Sequence, residues 1–333
     1  MGKKGPEEGA KMKNNGKSGI KELLAKPGSG VVIAFVALCL FLTIATKSFL
    51  TAGNILVVLR QSVWVGIISI GMTFIISTGE IDLSCGSLIG ISGMVAAACI
   101  KNYNLPVVVA ILAAVATGLV VGLINGFFVS HLKIASFIAT LAMSQILRGL
   151  IYVYTGGVPI FGIDNAFFRN IAQGYLGIIP LPIIYLAILT AIAWYLMYRT
   201  RFGRHVLSTG SNLEASKLVG INVEKVKMMT YIMMGVLASI SGILLTSRSE
   251  AAIVEAGSGY ETDAIAAVVI AGTSMAGGSA NLLGCILGAV LMTTIRNGLN
   301  LLKVDSSWTQ VVIGLVILGA LVFDKFSHAG SKE

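Results

Sequence analysis

The chain has 333 residues, of which 56% are apolar and only 12% are charged, and its mean hydropathy is +0.88. This composition excludes a soluble globular domain. At about 20 residues per membrane-spanning helix, it provides for roughly eight to ten spans and leaves almost no chain for a catalytic domain outside the membrane. The four cysteines and three histidines have no spacing typical of disulfide frameworks or metal centres, so we expect neither a metal site nor a cofactor.

The hydropathy pattern divides the chain into two polar ends and one long apolar region. Residues 1–30 are rich in lysine and glycine and are predicted to form a disordered basic tail in the cytoplasm, followed by a retained span. Residues 31–324 are predicted to form one transmembrane domain, and residues 325–333 a second cytoplasmic tail. The ten predicted spans are 31–46, 54–77, 83–100, 105–129, 134–155, 178–198, 227–246, 262–276, 280–300 and 308–323. Because only Gly277-Gly278-Ser279 separates the eighth span from the ninth, nine spans with a re-entrant piece remains an alternative.

The net charge of +9 is explained by the positions of the basic residues. With the N-terminus in the cytoplasm, most of the 24 Lys and Arg fall in the two tails and in the loop 199–227, all on the cytoplasmic side. This distribution follows the positive-inside rule and places both termini in the cytoplasm. No aromatic-basic pattern typical of nucleic-acid binding accompanies these charges, so no nucleic-acid partner is predicted.

Three short motifs occur twice in the chain, in the same order. They are Gly-Glu-Ile-Asp (79–82) with Tyr-Glu-Thr-Asp (260–263), Ile-Asn-Gly (124–126) with Arg-Asn-Gly (296–298), and Leu-Lys-Ile-Ala-Ser (132–136) with Leu-Lys-Val-Asp-Ser (302–306). Spans two to five therefore resemble spans seven to ten. In the predicted topology the two units are inverted relative to each other, an arrangement typical of transporters. Chance similarity among apolar helices is the alternative.

Polar residues inside the spans are candidates for a solute path. No Asp or Glu lies at the centre of a predicted span, which argues against an ion-coupled carrier. The neutral candidates are Gln61, Ser62, Asn125, Ser144, Gln145 and Asn297. Their side chains suit hydrogen bonding to a hydroxylated solute, and equally suit bonding between helices. Gly118, Gly122 and Gly126 form a doubled GxxxG pattern that predicts a close helix contact.

No motif in the sequence predicts an enzyme. The glycine-rich run 272–278 is not followed by Gly-Lys-Ser/Thr, so it is interpreted as a turn and not as a phosphate-binding loop. Motifs of zinc proteases and serine hydrolases are also absent from the sequence. The chain is therefore not expected to hydrolyse ATP by itself.

The loop 199–227 is predicted to contain a short helix. Ser211 or Asn212 is suited to cap its start, Leu213 and Leu218 give it an apolar face, and Gly220 is suited to end it. Such a helix on the cytoplasmic face would form a docking site for a partner protein. An ordinary solvated connector is the alternative.

Two of these segments carry a family resemblance. Residues 79–87 read Gly-Glu-Ile-Asp-Leu-Ser-Cys-Gly-Ser and resemble the motif Gly-Gly-Ile-Asp-Leu-Ser-x-Gly-Ser, with Glu80 as the departure. Residues 210–221 are similar to Gly-x-Asn-x-x-Ala-Ala-x-x-Ser-Gly-Ile, with departures at Ser216 and Val219. From about residue 30 to 324 the chain thus resembles the permease subunits of ribose-type ABC sugar importers.

The resemblance implies a function and a set of partners. The chain would be the multi-pass permease in the cell membrane that passes a monosaccharide (ribose-, xylose- or galactose-like) or a related small polyol, with a stand-alone secondary carrier as the alternative. The implied partners are an ABC ATPase subunit, an extracytoplasmic sugar-binding protein, a second permease copy or paralogue, and membrane lipid. The ATPase would contact Gly210, Asn212, Leu213, Glu214, Ala215, Ser216, Leu218, Gly220 and Ile221. The ten-span inverted arrangement is similar to that of vitamin B12 importer permeases.

Overall fold

The computed structural model describes residues 29–305, 308–316 and 318–319, so almost all of the predicted N-terminal tail and the whole C-terminal tail lie outside the described residues. The described part is mainly helical, which confirms the all-α, polytopic class. The helices are α1 (Ser29–Ala45), α2 (Ala52–Ser77), α3 (Cys85–Lys101), α4 (Val107–Ser130), α5 (Ser136–Thr155), α6 (Ala166–Gln173), α7 (Leu181–Arg199), α8 (Arg201–Ser211), α9 (Leu213–Leu218), α10 (Val223–Ser249), α11 (Tyr260–Ile270) and α12 (Leu282–Leu301), and residues 308–316 are also helical.

Four two-residue strands accompany the helices. Strand β1 (Ile160–Phe161) pairs antiparallel with β4 (Ala251–Ala252). Strands β2 (Tyr175–Leu176) and β3 (Ile179–Pro180) form a hairpin directly before α7. The short strands lie between helices and give their backbone groups hydrogen-bond partners without forming a sheet layer.

Within the described residues, six helices are long and apolar enough to cross a membrane: α2, α4, α5, α7, α10 and α12. Helix α3 and the apolar part of α1 are shorter. Helix α11 differs most from the sequence prediction, because the predicted eighth span 262–276 is helical only as far as Ile270. Its 11 residues measure roughly 16 Å, about half of the bilayer's hydrocarbon thickness. The helix ends there because Gly272, Gly277 and Gly278 adopt positive φ angles, which turn the chain back toward α12.

Helix α10 lies at the centre of the bundle and packs against α2, α3 and α4. The contact with α4 is close because glycines face it. A Cβ at Gly118 would lie 1.8 Å from the Ser239 hydroxyl oxygen, and one at Gly122 would lie 2.5 Å from the Tyr231 carbonyl oxygen. The close helix contact predicted from the doubled GxxxG pattern is therefore present, between α4 and α10.

The packing relates the two predicted repeats in a reciprocal way. Helix α2, the first of one unit, packs against α11 and α12 of the other, and α10, the first of the second unit, packs against α3 and α4 of the first. The repeated Leu-Lys motif also has one conformation in both units, since Lys133 has φ 55° and Lys303 has φ 57°. Positive φ is uncommon outside glycine, so the two turns share a specific geometry and not merely a composition.

Candidate functional site

The segment between α7 and α10 contains two helices, α8 and α9, where the sequence predicted one. Asn212 separates them and caps α9, because its Oδ1 accepts a hydrogen bond from the Ala215 backbone N–H at 2.9 Å. After α9 the chain turns at Gly220, with φ 82°, and the Ile221 N–H donates to the Ser216 carbonyl oxygen at 3.0 Å. The predicted cap and the predicted glycine stop are both confirmed.

Helix α9 presents apolar side chains to its surroundings. Leu218 is 89% exposed and Val219 is 74% exposed, while Ser216 on the opposite side is buried and bonds to the Ser208 hydroxyl of α8 at 3.0 Å. The helix is thus held by one face and exposes the other. Two neighbouring apolar side chains this exposed on a short rigid turn are typical of a protein contact.

The end of α8 is pressed against the bundle. A Cβ at Gly210 would lie 1.9 Å from the Ser77 carbonyl oxygen and 2.5 Å from the Gly278 backbone nitrogen. Ser77 ends α2, and Gly278 lies in the turn between α11 and α12 and donates its N–H to the Ser77 carbonyl oxygen at 3.0 Å. The end of α8 therefore lies directly against the end of α2 and the turn between α11 and α12.

Four of the six polar candidates in the spans bond within the protein. Asn125 donates to the Ser84 hydroxyl at 2.8 Å, and Asn297 exchanges two amide hydrogen bonds with Asn54, at 2.9 and 3.1 Å. Ser144 bonds to the Ser87 hydroxyl at 2.9 Å, and Ser62 donates to the Leu59 carbonyl oxygen of its own helix at 2.8 Å. For Asn125, Ser144 and Asn297 the geometry favours the alternative of bonding between elements, and Ser62 bonds only within its own helix.

Gln145 differs from the other candidates. It lies at the middle of α5, its side chain is exposed, and it makes no hydrogen bond to any residue that the structure describes. One turn further on, Gly149 has no heavy atom within 4 Å of where a Cβ would be, so this face of α5 is open. Gln61 is half-buried and likewise has no hydrogen bond within the described part of the chain. Gln145 is therefore the candidate best placed to contact a solute or a second chain.

The two Glu-x-Asp motifs have similar positions but different partners. Asp82 accepts hydrogen bonds from the Ser84 N–H at 2.7 Å and from its hydroxyl at 2.6 Å, just before α3 begins. Asp263, in the first turn of α11, is fully buried and pairs with Arg296 of α12, whose Nε and Nη2 lie 2.9 and 2.8 Å from its Oδ2. The sequence analysis did not predict this ion pair. The position of Arg296 inside a predicted span could have indicated it, because a charged side chain in the bilayer needs a partner.

Arg148 is a second arginine inside a span that the structure explains. Its guanidinium donates to the Val254 and Ala256 carbonyl oxygens, at 2.5 and 3.2 Å. These carbonyls belong to the segment that leads into α11. Helix α5 is thereby tied to that segment about two turns before its C-terminal end, with Gln145 less than one turn away.

Comparison with known proteins places the chain among transport permeases. Residues 54–321 match the family described as branched-chain amino acid transport system, permease component. The chain is similar to the ribose import permease proteins of Escherichia coli strain K12, with 40% identity over 88% of this chain and 92% of that one, and of Bacillus subtilis strain 168, with 42% identity over 90% and 93%. It is also similar to the xylose transport system permease protein of Haemophilus influenzae, with 34% identity over 88% of this chain and 95% of that one.

Proposed function

The chain belongs to the family of branched-chain amino acid transport system permease components, and we propose that it is the membrane-spanning permease subunit of an ATP-driven importer for a monosaccharide or related small polyol. The observation that carries the choice of substrate class is its similarity, over about nine tenths of both chains, to permeases named for ribose and xylose. Recognition of the individual sugar rests with a binding protein outside the membrane, which delivers the solute to the permease.

The α8–α9 segment is the proposed contact with a cytoplasmic ATPase subunit. Its exposed Leu218 and Val219 supply the apolar centre of an interface, and Glu214 and Lys217, which pair at 2.7 Å on the helix surface, supply a polar rim. The contact of Gly210 with the ends of two core elements supports this role, because force applied to the segment reaches the bundle without a flexible joint. Ala215 and Ile221 complete the proposed surface.

The open face of α5 is the proposed border of the solute path, with a second permease copy or paralogue opposite it. A primary amide in the middle of a span is costly when it faces lipid. That cost is removed if Gln145 faces a hydrated path or a second chain. Gln61, which also makes no hydrogen bond within the described part of the chain, is the second candidate on the path. Asn125, Ser144 and Asn297 act through the elements that they join, and Ser62 bonds within its own helix.

We further propose ten spans in two inverted units, similar in arrangement to vitamin B12 importer permeases. The reciprocal packing of α2 and α10 against the other unit, and the matched turns at Lys133 and Lys303, support this proposal. The eighth span is then α11 together with the turn that follows it. The basic residues of the loop 199–227 favour an orientation with this loop and both termini in the cytoplasm.

The proposal is tested by reconstituting the chain in proteoliposomes with an ABC ATPase subunit and a sugar-binding protein from the same organism. We expect ATP hydrolysis that rises on addition of one sugar and its binding protein, and uptake of that sugar that requires ATP. Sugar uptake by the chain alone, without ATP, would overturn the proposal in favour of a secondary carrier. Stimulation by a branched-chain amino acid in place of a sugar would overturn the substrate class and keep the importer.

A further inference from the structure

We propose that the ion pair between Glu80 and Lys227 is a positioning contact that transmits movement of the α8–α9 segment to α5, the helix that carries Gln145. This inference rests on the proposed function. It adds a specific residue pair that couples the proposed ATPase contact to the proposed solute path. Four connections, each made by described side chains or backbone groups, form the route.

The first connection runs from α9 to α10. Only four residues separate the two helices, and the turn is closed by the bond from the Ile221 N–H to the Ser216 carbonyl oxygen. Asn222 then caps α10 by accepting a hydrogen bond from the Lys225 N–H at 2.9 Å. A short connection with both ends bonded has little freedom to absorb a displacement, so α9 and the start of α10 move together.

The second connection runs from α10 to residues 79–84, which precede α3. The Lys227 ammonium group pairs with the Glu80 carboxylate, and the two side chains are only 14% and 15% exposed. One helical turn further along α10, the Tyr231 hydroxyl donates to the Ile81 carbonyl oxygen at 3.1 Å. Two anchors one turn apart fix both the position and the angle of this segment relative to α10.

The third connection runs from the same segment to α5. The Ile81 N–H donates to the Ser136 hydroxyl at 3.2 Å, and the Leu83 N–H donates to the Thr140 hydroxyl at 3.0 Å. Both hydroxyls lie in the first two turns of α5. The Gly79 and Glu80 N–H groups donate to the Ile76 and Ile75 carbonyl oxygens at the end of α2, at 2.9 and 3.2 Å, so the bonds to Ser136 and Thr140 join α5 to a segment that is also attached to α2.

The fourth connection is α5 itself, a continuous helix from Ser136 to Thr155. Gln145 lies a little more than one turn beyond Thr140, and Arg148 lies less than one further turn away, bound to the carbonyls that precede α11. A tilt imposed on α5 at Ser136 therefore moves the open face around Gln145 together with Arg148 and the carbonyl groups that it binds.

The proposed coupling depends on the opposite charges of Glu80 and Lys227, and not only on the hydrogen bond between them. A largely buried carboxylate or ammonium group that loses its partner is strongly disfavoured, so a variant with only one of the two charges leaves residues 79–84 without their stable position. Glu80 is also the residue at which this chain departs from the ribose-type motif, which has glycine there.

The test uses the complete importer, with ATPase and binding protein, reconstituted as above. In Glu80→Gln and in Lys227→Met we expect the ATPase to co-purify and to keep its basal rate, while stimulation by sugar and binding protein falls at least about fivefold, the lower end of typical coupling between sites. The exchange Glu80→Lys with Lys227→Glu restores at least half of the stimulation, and Lys227→Arg retains it. Rescue by reversed charges is a readout that a merely structural contact of either residue would not give.

A matched control comes from the same turn of α10. Glu224→Gln also removes a carboxylate, but Glu224 is 53% exposed and its charged neighbour is His131, 3.8 Å away, and not a residue of the segment 79–84. We expect its stimulation to equal that of the wild type. If the single variants keep full stimulation, or lose it without rescue by the charge exchange, the inference is overturned and the proposed function stands. If the wild-type complex itself shows no stimulation by any sugar, the proposed function falls, and the inference falls with it.

Discussion

Asp263 and Arg296 illustrate how this chain keeps charges inside apolar helices. Asp263 is fully buried, and Arg296 supplies two nitrogen atoms to one of its carboxylate oxygens. The charge of Arg148 is instead stabilised by backbone carbonyl oxygens of the segment before α11. In both places a charge joins α11, or the segment that leads into it, to a long helix.

At this scale we predict the cost of breaking the buried pair. Arg296→Met leaves the Asp263 carboxylate without a partner and is expected to lower the free energy of unfolding by about 3–5 kcal/mol. Thermal unfolding in detergent, compared at one lipid concentration, measures the effect. Arg169→Gln is the control, because its pair with Glu250 at 3.5 Å is substantially exposed and is expected to contribute at most about 1 kcal/mol. Equal losses of stability in the two variants would contradict the claim that the buried pair contributes more than the exposed pair.

Among the elements, α4 and α10 form the contact on which the bundle depends most. The glycine face of α4 brings the two backbones together without intervening side chains, and it does so for two successive turns. Such contacts gain from van der Waals packing, which is the main attraction between helices in lipid. Helices α8 and α9 have the opposite character, because they are attached by one face and leave the other open.

The α4–α10 contact gives the second prediction. A Cβ at Gly122 would overlap the α10 backbone, so Gly122→Ala is expected to destabilise the protein by about 1–3 kcal/mol through overpacking. Gly149→Ala makes the same chemical change on α5, where nothing lies within 4 Å, and is expected to leave stability unchanged or slightly raised. The yield of monodisperse protein and its unfolding temperature distinguish the two variants. A Gly122→Ala protein as stable as Gly149→Ala would show that the contact is looser than described.

The open face of α9 gives the third prediction. Replacing its two exposed apolar residues by Leu218→Glu and Val219→Glu is expected to weaken binding of the ATPase subunit at least about tenfold, which corresponds to about 1.4 kcal/mol. Membrane yield is expected to stay normal, because neither side chain packs in the core. Affinity is measured on purified subunits, with Lys225→Gln on the exposed start of α10 as the control. Unchanged affinity would remove α9 from the proposed interface.

The whole molecule is a multi-pass permease of helices arranged around α10, and the family membership confirms the resemblance and the permease function inferred from the motifs. The two predicted repeats exchange contacts through their first helices, since α2 packs against α11 and α12, and α10 packs against α3 and α4. Gly210 lies against both the end of α2 and the turn between α11 and α12.

The orientation of the molecule gives the fourth prediction. With the loop 199–227 in the cytoplasm, Leu218→Cys is expected to react with a membrane-impermeant maleimide only after the cells are opened, and Ile178→Cys, at the exposed β2–β3 hairpin, in intact spheroplasts. The background is a variant with the four native cysteines replaced. Labelling of both positions from the same side would refute the proposed topology, and reversed labelling would refute the orientation.

The amino-acid sequence by itself determined the class of this protein, the long apolar helices, the capped helix α9 and the motifs of a transport permease. These follow from hydropathy, capping residues and turn glycines, which act over a few neighbouring positions. Only the tertiary structure decided that α11 is a short helix followed by a turn, that Asp263 pairs with Arg296, and that Gln145 is open while Asn125 and Asn297 are bonded. Each of these features depends on which residue, distant in the sequence, lies next to the side chain in the folded protein. In a chain whose helices are apolar on most faces, the periodicity of the sequence does not mark the side that a neighbour will cover, so the partner is set by packing.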